Sequence, residues 1–271
     1  MSLPDPAHDN STDQSKLTNG SVHHPLRTLC QSLHEKIESF LQEDFQEERL
    51  RSVQSQCRHS LSIIQEALDR YPIPTLSFSY NGGKDCLVLL LLYLSLLSTH
   101  PHLPPSLPAI HIPCPDPFLA VDRFVHTSSI RYHLNLTHQP PAPSSPTSMK
   151  SAFSAYLASP AGQPIEAIFV GTRRTDPHGA RLSKFDLTDR GWPGFMRVHP
   201  VLEWRYGEVW AFLRWMGEEW CELYDEGYTS LGGVGDTRRN PRLRVVDAEG
   251  GERWLPAWRL ESDEAERDGR S

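Results

Sequence analysis

The sequence predicts an α/β fold, a mostly parallel sheet flanked by helices, and three observations carry that expectation. A strand-like run at 75–80 passes straight into two glycines and then into an apolar run at 86–97. Strand-like and helix-like segments alternate from 109 to 172, the order that builds a parallel sheet with crossover helices. The chain has 271 residues, enough to bury one large core or two small ones.

The segments follow in order. Residues 1–24 are polar and poor in aromatics, and a disordered tail is expected there. From 25 to 71, Leu29, Ile37, Phe40 and Leu41, then Leu61, Ile64 and Leu68, recur at helical spacing, which predicts two helices. Pro72 and Pro74 stop that pattern. The run 86–97 is apolar nearly all round and reads as a core helix, because a membrane span needs about 20 apolar residues. A second strand is expected at 109–115, a helix at 118–132, a third strand at 133–139, a short helix at 149–157 and a further strand at 165–172. The Pro/Ser-rich stretch at 139–146 reads as a loop. Beyond Gly171 the chain turns rich in Arg, Trp, Pro and Gly. One helix stands out there, at 206–220, with Tyr206, Val209, Trp210, Leu213, Met216 and Trp220 on one face.

Composition narrows the function. A formal net charge of −7 argues against a protein that coats nucleic acid, yet leaves room for a small anionic substrate held by local positive charge. Hydrophobic residues at 38% argue against a disordered chain. The N-terminus lacks an apolar signal region, and Cys30, Cys57, Cys86, Cys114 and Cys221 form no close pair, so reduced thiols in the cytoplasm are expected. The 13 histidines show no metal-ligand spacing. Cys86, heading an apolar helix, reads as packing and not as a nucleophile.

Chemistry concentrates in two blocks. The first is Ser79-Tyr80-Asn81-Gly82-Gly83-Lys84-Asp85. Paired glycines let a ligand approach the backbone, the next helix presents N–H groups and a positive dipole end, and Lys84 adds a charge. Together they suit a pyrophosphate, although the run is no Walker A loop. Asp85 would serve a metal or a ribose. The plain alternative is a turn with a solvated Lys–Asp pair. The second block spans 171–205, where Arg173, Arg174, Arg181, Lys184, Arg190, Arg197 and Arg205 face only Asp176, Asp186, Asp189 and Glu203. That excess of positive charge suits a polyanion, while the plain alternative is a surface loop of ordinary ion pairs.

The first block resembles the pyrophosphate loop of the adenine-nucleotide α-hydrolase-like superfamily, with Asn81 in place of the usual Ser. The wording of the second block, of Cys221-Glu222-Leu223-Tyr224-Asp225-Glu226-Gly227-Tyr228-Thr229-Ser230-Leu231-Gly232 and of Glu266-Arg267-Asp268-Gly269-Arg270 resembles the eukaryotic-type FAD synthase (FMN adenylyltransferase) family over roughly residues 25–270, in its short, fungal-type, monofunctional form. That family is related to phosphoadenylyl-sulfate reductases. The resemblance implies a Rossmann-like nucleotide-binding domain over 25–200 and a C-terminal flavin-binding extension over 201–271. It implies Mg²⁺-dependent transfer of AMP from ATP to FMN, giving FAD and pyrophosphate.

The resemblance also assigns residues. Ser79, Tyr80, Asn81, Gly82, Gly83, Lys84, Asp85, Gly171 and Arg173 would hold ATP and later pyrophosphate. Asn81, Asp85, Asp176 and Arg197 would carry catalysis. Asp176, Trp192, Arg197, Arg267 and Arg270 would meet FMN or FAD, and Asp176 would lie at Mg²⁺. Trp192, Phe195 and the Arg267 region are candidates for the flavin slot, and Arg173, Arg197 or the terminal arginines for the FMN phosphate. Trp210, Trp215 and Trp220 read as core. Asp268 stands where relatives carry a small residue. Partners would be ATP, FMN and apo-flavoproteins receiving FAD, with no nucleic acid and no membrane, and the chain would act as a monomer. Competing readings are a phosphoadenylyl-sulfate reductase, which needs a C-terminal cysteine that this chain lacks after Cys221, and a non-enzymatic flavin- or adenine-nucleotide-binding protein.

Overall fold

The computed structural model describes residues 25–139, 148–246 and 250–271. The expected tail at 1–24 and most of the Pro/Ser loop lie outside the described residues. Helices α1 (Pro25–Gln42) and α2 (Glu48–Arg70) lead into β1 (Leu76–Ser79), α3 (Lys84–Leu97), β2 (Leu107–His111), α4 (Leu119–Arg131), β3 (Leu134–His138), α5 (Ser148–Ala158) and β4 (Ala167–Val170). After β4 come β5 (Phe185–Leu187), β6 (Met196–Val198), α6 (Tyr206–Met216), β7 (Arg244–Val246) and β8 (Glu252–Trp254).

A six-stranded sheet runs in the order β3-β2-β1-β4-β6-β5. All its pairings are parallel except β5 with β6. The strands alternate between two cores, as the period of a pleated strand requires. Phe78, Ala109 and Phe169 join the main core with α1, α2, α3 and α6, whereas Ile110 and Ile168 meet Phe153 and Tyr156 of α5 in a smaller one. The second face also carries the bond between Ser77 Oγ and Tyr156 Oη at 2.8 Å. Helix α3 is buried over nearly its whole length, which explains its all-round apolar sequence.

Three expectations needed adjusting. The helix expected at 206–220 stops at Met216, because Gly217 takes the left-handed conformation (φ 59°) that closes helices. Trp220 therefore leaves the helix, yet its ring still packs on Trp210 at 5.4 Å. The strand expected at 109–115 begins at Leu107 and ends at His111, where Pro113, Pro115 and Pro117 end regular pairing. Strands β5 and β6 escaped notice: at three residues each they are too short to show a period.

Strand β1 is flanked by β2, which follows it in the chain, and by β4, which arrives only after the excursion through β3 and α5. The strand order reverses at β1. That is where open α/β sheets bind ligands, beyond the carboxyl ends of their strands.

Candidate active site

The loop at 80–83 crosses this switch point. Gly82 has φ +70°, and a Cβ there would stand 2.8 Å from Val125 Cγ2, so both conformation and space demand glycine. Asn81 Oδ1 accepts the N–H of Gly83 at 2.9 Å, a local turn that sets the entry to α3. Gly171, just past β4, lies so near the first turn of α3 that a Cβ would come within 2.7 Å of Cys86 Sγ. That close approach seats the segment 171–177 beside the loop.

A cleft of about 830 Å³ opens there. Ser79, Asn81, Gly83, Lys84, Asp85, Gly171, Asp176, Trp192, Arg197 and Arg267 all line it. One wing runs along His111 to Asp122 after β2, and the other along Thr188, Trp192, Phe195 and Arg197 of the β5–β6 hairpin. Leu187, Met149 and Trp192 on the second wing are among the exposed large hydrophobics of the molecule.

At the cleft floor five charged side chains meet. Lys84 Nζ reaches Asp85 Oδ2 at 3.1 Å and Glu266 Oε1 at 2.6 Å. Arg173 Nη2 reaches both oxygens of Glu266, at 2.7 and 2.5 Å, and its Nε stands 2.9 Å from Asp85 Oδ1 without hydrogen-bond alignment. Asp176 Oδ2 accepts the backbone N–H of Arg173 at 2.8 Å. Burial alone would push Lys84 down, but Asp85 and Glu266 outweigh it and hold it above its ordinary value. Burial would likewise raise Asp85, and Arg173 and Lys84 override that and hold it below the usual carboxylate range. Asp176 goes the other way: burial first and the neighbouring Asp85 second raise it, against the lowering pull of Arg173. The Tyr224 hydroxyl accepts the N–H of Lys84 at 3.1 Å and so caps the start of α3.

Four of the expected site residues do not face the cleft with their side chains. Tyr80 is buried, and its hydroxyl donates to Ser128 Oγ at 2.8 Å. Gly82 contributes conformation. Arg173 is 1% exposed and pairs with Glu266 and Asp85 at the floor, its Nη2 bonded to Glu266 while Nη1 and Nε lie buried without a hydrogen-bond partner. Arg270 pairs with Asp236 at 3.2 Å and packs its guanidinium against Gly232, a residue of the cleft wall. Asp268 turns away to Arg242 at 3.1 Å. Arg197 donates to the carbonyl of Leu187 at 2.9 Å and lies 3.6 Å from Asp189, leaving it half-buried on the second wing. Cys86 is buried, donates weakly to the carbonyl of Ser79, and is pushed up to about 12 by burial and Asp85, which leaves it a protonated packing residue.

Sequence reasoning missed Glu266, Tyr224, His111 and His199. Each lines the cleft. Glu266 lies 182 residues from Lys84, and no linear spacing signals such a pair. The histidines carried a weaker signal, since both occupy strands or strand ends. His111 Nδ1 pairs with the carbonyl of Tyr80 at 2.8 Å and His199 Nδ1 with that of Ser183 at 3.0 Å. Burial holds both below the ordinary histidine value.

The fold and site define an α/β protein whose glycine loop and helix N-terminus open on a cleft at the switch point of its sheet. Residues 75–239 match the phosphoadenosine phosphosulfate reductase domain. A "Probable FAD synthase" of Schizosaccharomyces pombe is 37% identical over 245 residues, covering 88% of this chain and 88% of that protein. A crystal structure of Candida glabrata FMN adenylyltransferase in complex with FMN and the ATP analogue AMPCPP superposes with a TM-score of 0.83 at 31% identity, covering 90% of this chain and 99% of that one. The same enzyme in complex with FAD and inorganic pyrophosphate gives 0.82 at 31% identity, with coverage of 90% and 99%. The chain belongs to the phosphoadenosine phosphosulfate reductase domain family and, within it, to the FAD synthases.

Proposed function

We propose that this chain transfers AMP from ATP to FMN, releasing FAD and pyrophosphate. The observation that carries the reading is one continuous cleft with a polyphosphate cradle at its centre and an apolar, aromatic wing beside it. A flavin needs such a slot, and Phe153, Trp192 and Phe195 supply it. An oxygen of the FMN phosphate attacks the α-phosphorus of ATP, the bond from that phosphorus to the bridging oxygen breaks, and pyrophosphate leaves with the electron pair. The attacking monoester is already an anion at neutral pH, so no protein nucleophile is needed. Catalysis reduces to in-line positioning and charge neutralisation.

Within this reading the 81–83 loop and the first turn of α3 cradle the β- and γ-phosphates, and Lys84 faces the leaving pyrophosphate. Arg197 stands on the flavin wing, able to meet the FMN phosphate. Arg267 borders the same space. Arg173 acts as a brace and does not grip substrate. The carboxylate of Asp176 suits Mg²⁺: it is a hard oxygen donor on the cleft, and Mg²⁺ commonly takes one or two carboxylates together with substrate phosphates. When bound, the ion supplies neutralisation of the repulsion between two polyanions. The five free thiols fit a reducing compartment, and the FAD formed would pass to apo-flavoproteins.

The test is product analysis. Protein incubated with FMN, ATP and MgCl₂ should yield FAD and equimolar pyrophosphate by chromatography, and neither without Mg²⁺. Asp176→Asn, which keeps an oxygen for the N–H of Arg173, should lose at least about 100-fold in turnover with a melting temperature near that of wild type, as expected for a group acting on developing charge. No FAD from folded wild-type protein would sink the reading, and wild-type turnover in the variant would remove Asp176 from it.

A further inference from the structure

We infer that Glu266 is a positioning residue that shares Lys84 with the substrate's phosphates and so keeps pyrophosphate from binding too tightly to leave. The inference rests on the FAD synthase reading for its purpose, though not for its geometry.

The carboxylate is fixed from several sides. Both of its oxygens hold Arg173 Nη2. Its backbone carbonyl accepts Thr229 Oγ1 at 2.6 Å, and Asn240 Nδ2 donates both to Thr229 Oγ1 at 2.9 Å and to the carbonyl of Ala265 at 2.7 Å. Thr229, Asn240 and Glu266 are all buried. Such a network gives Glu266 one position.

Lys84 is confined as well. Two of its three donors point at Glu266 and Asp85, and the rings of Tyr206 and Tyr224 lie 5.4 and 5.8 Å from its ammonium. Both Lys84 and Glu266 line the cleft. A phosphate entering there meets an ammonium whose charge a fixed, poorly solvated carboxylate has already partly cancelled. In so dry a place that carboxylate subtracts strongly from the lysine's pull on an anion. With Asp176 given to Mg²⁺, the floor's remaining side chains are Lys84 and Arg173 against Asp85 and Glu266, an even balance. A site that must release pyrophosphate gains from that cancellation, because grip on the product beyond what the transition state uses does not raise turnover.

Two measurements separate this inference from the activity itself. Binding of inorganic pyrophosphate with Mg²⁺ is followed by calorimetry and needs no turnover, while steady-state FAD formation reports the reaction. Glu266→Gln keeps the side-chain volume and removes the charge. It should bind pyrophosphate at least about fivefold tighter than wild type, with lower kcat. The gain should vanish when Lys84→Met is added. A merely structural Glu266 would give equal or weaker pyrophosphate binding in the folded variant, and that result overturns the inference. Glu266→Asp keeps the charge but draws it back from both Lys84 and Arg173, which share Oε1. It should tighten binding by less, and it decides the matter by the same criterion if the glutamine variant does not fold. Failure of wild-type protein to make FAD would strike the activity reading alone.

Discussion

Two neutral histidines border the cleft, and both give a pH dependence whose sign is fixed. His111 and His199 are held below their ordinary value by burial, so the unfolded chain takes up protons before the folded one does as pH falls. The stability they contribute is present above the unfolded value near 6.5 and is lost as pH drops through their lower folded values. The melting temperature should therefore fall between about pH 7 and pH 5, by an amount set by the two groups together. The double variant His111→Asn, His199→Asn keeps an N–H for the carbonyls of Tyr80 and Ser183 and should flatten that decline. An unchanged slope in the variant would place the acid sensitivity elsewhere. Individual residues also show what a linear reading can and cannot recover. The place of Asn81, Lys84 and Asp85 at the turn between β1 and α3 was legible, because a glycine pair between a strand-like and a helix-like run marks such a turn. Glu266 was not, because its meaning is the distance to Lys84 and Arg173, which only the folded chain creates.

The unit formed by β1, the loop and α3 depends on backbone more than on side chains. Gly82→Ala would place a methyl against Val125 in a left-handed backbone. Strain of that kind costs about 1–3 kcal/mol, and the shift it forces in the loop should lower ATP use more than it lowers the melting temperature. Activity and melting curves together check this, and a stable, fully active Gly82→Ala would mean that the loop relaxes freely. The core helices were legible at this scale: α1 and α2 from their apolar spacing, α3 from its continuous apolar run. Strands β5 and β6 were not. Their pairing beside β4 is set by register with a neighbour, Ala167 against Met196 and Phe169 against Val198, and not by any pattern within three residues. The same hairpin carries Trp192 and Arg197 to the cleft, so the placement of that wing was beyond a linear reading as well.

Across the whole molecule, the C-terminal segment closes the site from behind. Thr229, Asn240, Ala265 and Glu266 form one buried polar chain, and Tyr206 Oη donates to the carbonyl of Ala257 at 2.8 Å. Removing residues 261–271 would leave Lys84 and Arg173 without Glu266, and breaking a buried ion pair on one side costs about 3–5 kcal/mol. The truncated chain should melt well below the full one and form no FAD. A truncated chain with full activity would show that the cradle stands without its rear wall.

The α/β class, the glycine turn after β1 and the family are properties of the sequence, because periodicity, glycine placement and short-range motifs act within a few residues. Tertiary structure alone decided which charges face the cleft. It buried Arg173 beside Glu266 and Asp85, set Arg270 against Gly232, and brought Glu266 to Lys84. Charges separated by more than a hundred residues acquire their energy only when folding removes the water between them.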